Sequence, residues 1–116
     1  MSQENEKVSV GQGTTSTLSL LVEADLSKAT SIVVSIRQDM RAYDFTGNRV
    51  WSFDDPEGTL LMVHLSQEET LSMRPKEAEI QVRWLDFDDE AYETDIQTID
   101  IERALYKGVL QRGESE

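Results

Sequence analysis

The stretch from Thr59 to Trp84 constrains the fold most, because it holds two strand-like runs joined by a capped turn. Thr59-Leu60-Leu61-Met62-Val63-His64-Leu65 is an apolar run with Leu61, Val63 and Leu65 on one side. Glu77 to Trp84 alternates cleanly. Ile80, Val82 and Trp84 share one face and Glu79, Gln81 and Arg83 the other, the period of a half-buried strand. Between the runs, Ser66 and Glu69 have the capping-box spacing that satisfies orphan N–H groups at the start of a helical turn. A strand, a helical crossover and a second strand carry a chain from one layer of a two-sheet sandwich to the other.

The remaining runs agree with that architecture. Val8 and Val10 begin a short strand, and Gly11-Gln12-Gly13 signals a turn. Thr14 to Val22 reads as a strand with Leu18, Leu20 and Val22 on one face. Thr30 to Gln38 follows with Ile32, Val34 and Ile36 inward, and Tyr92 to Ile101 is the last strand, with Ile99 and Ile101 on its core face. Leu105, Tyr106, Val109 and Leu110 suit a short docked tail or helical turn. Strands about ten residues apart, with no long helical pattern between them, predict an all-β fold. The expected form is an immunoglobulin-like two-sheet β-sandwich of about seven antiparallel strands. Residues 8–111 form the domain, between mobile tails at 1–7 and 112–116.

Length and charge narrow the function. A chain of 116 residues is one domain, and at that size it buries roughly two-thirds of its unfolded surface. It has no cysteine, which removes disulfides and thiolate metal sites. Residues 1–7 lack the apolar core of a signal peptide, and no run is long enough for a membrane helix. The net charge of −12 repels phosphate backbones and anionic lipid, so neither nucleic acid nor membrane is an expected partner. The same charge reads first as a solubilising surface and, more sharply, as one that docks on a basic protein.

Met40 to Phe53 is the candidate contact region. Thr46-Gly47-Asn48 reads as a hairpin tip, with Tyr43 and Phe45 before it and Trp51 and Phe53 after it. Arg41 and Arg49 add positive charge to an acidic chain. Aromatic residues and Arg dominate binding hot spots, so Arg41, Tyr43, Phe45, Arg49 and Trp51 are the expected protein-interaction residues. In that reading Trp51 and Phe53 share the side able to pack inward, and Tyr43 or Arg49 reaches out to self-associate or dock.

No catalytic or metal motif stands out from the sequence. His64, the single histidine, points outward beside Leu60 and Met62, with no nucleophile near it in sequence. No Gly-x-Ser-x-Gly elbow occurs, and Gly11-Gln12-Gly13 lacks the third glycine of a dinucleotide site. The acidic turn Asp86 to Glu90 lacks the glycine and distant bidentate glutamate of a calcium loop, and Asp54, Asp55 and Glu57 form a second acidic turn, read as solvated like the first. No enzymatic activity, cofactor or metal is expected. The rival function is carbohydrate binding, since sugars stack on exposed aromatics such as Tyr43, Trp51 or Phe53.

Four phrases resemble a family of small proteins encoded among the virion structural genes of phages and prophages of Gram-positive bacteria. They are Gln12-Gly13-Thr14-Thr15-Ser16-Thr17-Leu18-Ser19-Leu20, Leu65-Ser66-Gln67-Glu68-Glu69-Thr70-Leu71, Ile80-Gln81-Val82-Arg83-Trp84 and Thr98-Ile99-Asp100-Ile101-Glu102-Arg103-Ala104-Leu105. The resemblance implies a non-enzymatic structural component of the tail or baseplate with an immunoglobulin-like sandwich. It also implies a virion location after synthesis in the bacterial cytoplasm. Other virion proteins, and the chain itself as a homo-oligomer, are the implied partners. The chain departs from the family between Gln38 and Phe53, where the family has a tighter hairpin.

Overall fold

The computed structural model describes residues 8–111. The expected mobile tails at 1–7 and 112–116 lie outside the described residues. Among the described residues nine strands form two sheets: β1 (Val8–Gly11), β2 (Ser16–Val22), β3 (Ser31–Gln38), β4 (Arg41–Phe45), β5 (Val50–Asp55), β6 (Gly58–Leu65), β7 (Glu77–Leu85), β8 (Ala91–Glu93) and β9 (Gln97–Glu102). The larger sheet runs β1-β9-β7-β3-β4, with β8 also on β7, and the smaller runs β2-β6-β5. The protein is an all-β two-sheet sandwich. Its strand count exceeds the expected seven through short members such as the four-residue β1 and three-residue β8. Strand β1 is also parallel to β9, where only antiparallel pairs were expected.

Alternation builds the core. Leu18, Leu61, Val63 and Leu65 face inward from the small sheet, and Val34, Ile36, Ile80, Val82, Ile99 and Ile101 face them from the large one. Leu20 and Ile32, also expected inside, are only partly buried against that core. Leu20 sits on edge strand β2, beside a small cleft lined by Thr94 and Gln97. Helix α1 (Gln67–Ser72) makes the crossing from β6 to β7. Its start is the expected capping box: the Glu69 N–H donates to Ser66 Oγ, and the Ser66 N–H donates to Glu69 Oε1 at 2.8 Å.

Two expectations need correction. Met40–Phe53 is not a hairpin: β4 pairs with β3, β5 pairs with β6, and the two lie in different sheets. Gly47, at φ 60°, opens a single 3-10 turn over Gly47–Arg49 in which the Arg49 N–H bonds the Thr46 carbonyl. That turn carries the chain between layers instead of folding it back. The hairpins are β3–β4, turning at Asp39-Met40 where Asp39 has φ 55°, and β5–β6, turning at Pro56-Glu57. Gly58 closes the second at φ 147°, and a Cβ there would press into the Val22 carbonyl.

The last strand is also broken. Arg83 pairs with Glu93 and Ile80 with Gln97, so Thr94, Asp95 and Ile96 stand opposite only Gln81 and Val82. This is a one-residue bulge. The Thr94 hydroxyl accepts from the Val82 N–H at 3.1 Å, replacing a ladder acceptor.

Buried side-chain amides lock the linker after α1. Gln12 Nε2 donates to the Met73 carbonyl at 2.6 Å. Gln38 accepts from the Arg74 N–H at 2.6 Å and donates to its carbonyl at 2.8 Å. Gln12 Oε1 also accepts from the Ala104 N–H and Lys107 Nζ, and Gln67 bonds both backbone groups of Leu110. The C-terminal segment is thus docked, but by amides and without a helix. Leu105, Tyr106 and Leu110 stay exposed.

Candidate functional site

The five expected interaction residues do not form one surface. Phe45 is 2% exposed, because it faces inward opposite buried Val34. The Arg49 guanidinium lies over its ring, 5.0 Å from the centroid. Arg49 also donates to the His64 carbonyl at 2.8 and 3.2 Å and ion-pairs with Glu69. It therefore braces the start of α1 against β6. Tyr43 is half-buried and its hydroxyl bonds Ser72 Oγ at 2.6 Å. Arg41 is exposed at the β3–β4 turn in the large sheet, while Trp51 is exposed on the small one.

Trp51 belongs to a different constellation. On β5, Val50, Ser52 and Asp54 pair with the inward-facing Val63, Leu61 and Thr59, though only Val50 packs on the core, and this register sends Trp51 and Phe53 outward. Trp51 lies across from Met62 and Phe53 across from Leu60. On the far side of β6, Ser19 lies across from Met62 and Leu21 across from Leu60. Two rows thus cross all three strands, Leu21–Leu60–Phe53 and Ser19–Met62–Trp51. The Ser19 hydroxyl points at Met62 Sδ, 3.3 Å away. Leu21 is 41% exposed, Trp51 40% and Phe53 54%.

Adjacent cross-strand rows lie roughly 7 Å apart and strands about 5 Å apart, so the side chains are contiguous. Contiguous exposed apolar patches mark interaction sites more often than single exposed residues do. Glu23 beyond β2 and the Asp54-to-Glu57 turn border the patch at one end, with His64 and Arg49 at the other.

This face had a sequence signal. Leu60 and Met62 occupy the outward positions of β6, where polar residues are usual, and Leu21 does the same on β2. The missing information was which side of β5 faces out, which depends on its register with β6.

Elsewhere charge serves structure. Hydrogen bonds from Ser35 and then Arg37 hold the Asp44 carboxyl below its ordinary range, and Lys76 does the same for Asp39. Burial pushes Glu69 up, but the Ser66 backbone N–H and the Arg49 guanidinium outweigh it, leaving the carboxyl lowered. In the acidic turn, Asp86 Oδ1 accepts the Phe87 N–H and Asp88 Oδ1 accepts the Glu90 N–H. Those carboxylates brace their own loop. Among the described residues no cluster of three or more His, Cys, Asp or Glu could hold a metal. No helix among them is long and apolar enough to cross a membrane. No protein-family model matches the chain, and no curated protein is similar to it.

Proposed function

We propose that the chain is a non-enzymatic structural or assembly component of a phage or prophage particle, at its tail or baseplate, acting through protein–protein contacts. The observation that carries the contact part is the outer face of the small sheet, where Leu21, Trp51, Phe53, Leu60 and Met62 sit together on an acidic body. Covering such a face releases ordered water at roughly 25 cal/mol per Å² of apolar surface, and Trp is among the residues enriched at hot spots. The acidic end of the patch disfavours acidic partners and favours a docking protein that brings Lys or Arg to that end.

The particle part rests on the resemblance, and three of its four phrases meet in the fold. Thr70 Oγ1 donates to the Thr14 carbonyl, Gln12 accepts from the Ala104 N–H, and Ser66 and Glu69 cap each other. Segments far apart in sequence therefore bond one another at one end of the sandwich. The test is to purify particles from the source organism on a density gradient and quantify this chain by mass spectrometry. Presence at fixed copy number supports the reading, and a chain found only outside particles overturns it.

A second reading, glycan binding, is favoured by one feature: Trp51 and Phe53 are exposed side by side on a sheet face, a platform on which pyranose rings stack. Titrating soluble cell-wall oligosaccharides against tryptophan fluorescence separates the two. Saturable quenching that is lost in Trp51→Ala supports glycan binding.

A further inference from the structure

A second surface lies where the sheets part company. Strand β2 pairs with β6 alone, so among the described residues no strand lies along its other side. Edge strands are normally blunted by charge, proline or brevity. Strand β5 runs into Asp54-Asp55-Pro56, β4 carries Arg41 and Asp44, and β1 has four residues. Strand β2, Ser-Thr-Leu-Ser-Leu-Leu-Val over seven residues, has none of these protections.

Beside its C-terminal half is a groove of ≈ 440 Å³. One wall is the strand edge and its continuation, Leu21 to Ala24, and the other is the β8–β9 bulge at Thr94, Asp95 and Gln97. Trp84 forms part of the lining and is held in place by stacking on Tyr92, with ring centroids 5.8 Å apart. Glu23, Glu93 and Asp95 also line the groove, and among the described residues no cation does; of the three, only Glu93 stands opposite a cation in the sheet register, Arg83.

We infer that this groove binds an extended peptide segment of a partner protein by strand addition to β2, with an arginine or lysine of that segment seated by Trp84 between Glu23 and Asp95. The unprotected edge supplies backbone hydrogen bonds that tolerate any sequence, and the groove supplies the specificity. Only Leu21 and Val22 of the Leu21-to-Ala24 wall belong to β2, because the Ala24 N–H turns back onto the Val22 carbonyl, so the added segment pairs back along the seven residues of β2 and seats its cation at the groove end of the strand. An aromatic face with carboxylates beside it favours a guanidinium or ammonium through ring and charge together. The groove shares Leu21 and Glu23 with the outer face but needs neither Trp51 nor Phe53, so the Trp51→Phe background of the test separates the two.

The test uses the full chain carrying Trp51→Phe, which leaves Trp84 as the single tryptophan. The probes are acetylated Val-Thr-Arg-Thr-Val amide and the same peptide with Glu in place of Arg. Trp84 fluorescence is expected to saturate with the Arg peptide, and the Glu peptide to bind at least about tenfold more weakly, the worth of one well-placed charge pair. The same loss is expected in Glu23→Gln/Asp95→Asn, whose substitutions lie at the surface and leave the melting temperature in place. Hydrogen exchange should slow at β2 amides when the Arg peptide binds. No saturation, equal binding of both peptides, equal binding by the double variant, or binding without protection of β2 each overturns the inference.

Discussion

Arg49→Ala tests whether Arg49 is a brace or a contact. The side chain makes three contacts, each partly open to solvent: the ion pair with Glu69, the bonds to the His64 carbonyl and the stack on Phe45. Side-chain exposures of 38% for Arg49 and 26% for Glu69 place the pair near the surface, where such bridges contribute about 1 kcal/mol or less. The carbonyl bond adds about 0.5–1.5 kcal/mol, part of it recovered by water in the variant. The ring contact adds about 0.5–1 kcal/mol. A net loss of about 1–2 kcal/mol follows, roughly 4–10 °C in melting temperature for a domain of this size.

The pH dependence of that loss identifies its source. The Glu69 carboxyl is lowered in the folded protein, so its contribution is present above the unfolded value and fades as pH falls through the folded one. Arg49 is one of the causes of that lowering. The gap between wild type and Arg49→Ala should therefore be widest near neutral pH and narrow below about pH 4, where glutamate takes up its proton. Thermal melts followed by circular dichroism across that range make the measurement. An unchanged melting temperature at neutral pH, or a gap of constant size throughout, would refute the bracing role.

Three further outcomes follow from the same structure. Val82→Asp places an unpaired carboxylate at a position 3% exposed, costing several kcal/mol against a total stability of roughly 5–15, and should abolish cooperative melting at neutral pH. A normal melt would contradict the β7 assignment. Thr94→Val keeps the shape of the bulge but removes the acceptor for the Val82 N–H, so exchange at that amide should accelerate with about 1–2 kcal/mol lost. Unaltered exchange there would show that the hydroxyl is not the acceptor. Gln38→Leu fills the same space and strips the Arg74 backbone of both partners, with an expected cost of about 2 kcal/mol; a melt that overlays the wild type would rule out the clamp.

What was legible in the sequence was local. The capping box at Ser66 and Glu69 and the alternation of β7 carry their own signals within a few residues, and both stand in the fold as read. The layer change at Gly47 was not legible as such. A Gly-Asn pair announces positive φ, but whether the chain then folds back or crosses to the other sheet depends on which strands lie beside it. Arg41, Tyr43, Phe45, Arg49 and Trp51 consequently scattered between sheets, with Phe45 buried and Trp51 outside. The Gln12 and Gln38 clamps reach partners 61 and 36 residues away, and no local pattern distinguishes them from surface glutamines. The outer face of the small sheet emerged only once the β5–β6 register set Trp51 beside Met62 and Phe53 beside Leu60.

Under the proposed function, this outer face is the surface through which the chain is held in the particle. Trp51→Thr/Phe53→Thr tests it most directly, since threonine keeps the strand preference of β5 while removing both rings from the face. The variant should be expressed in place of the wild type in the source organism, its folding checked by a cooperative melt, and its abundance measured in gradient-purified particles. The account predicts a folded chain that is largely missing from those particles. A folded variant incorporated at the wild-type level would contradict it.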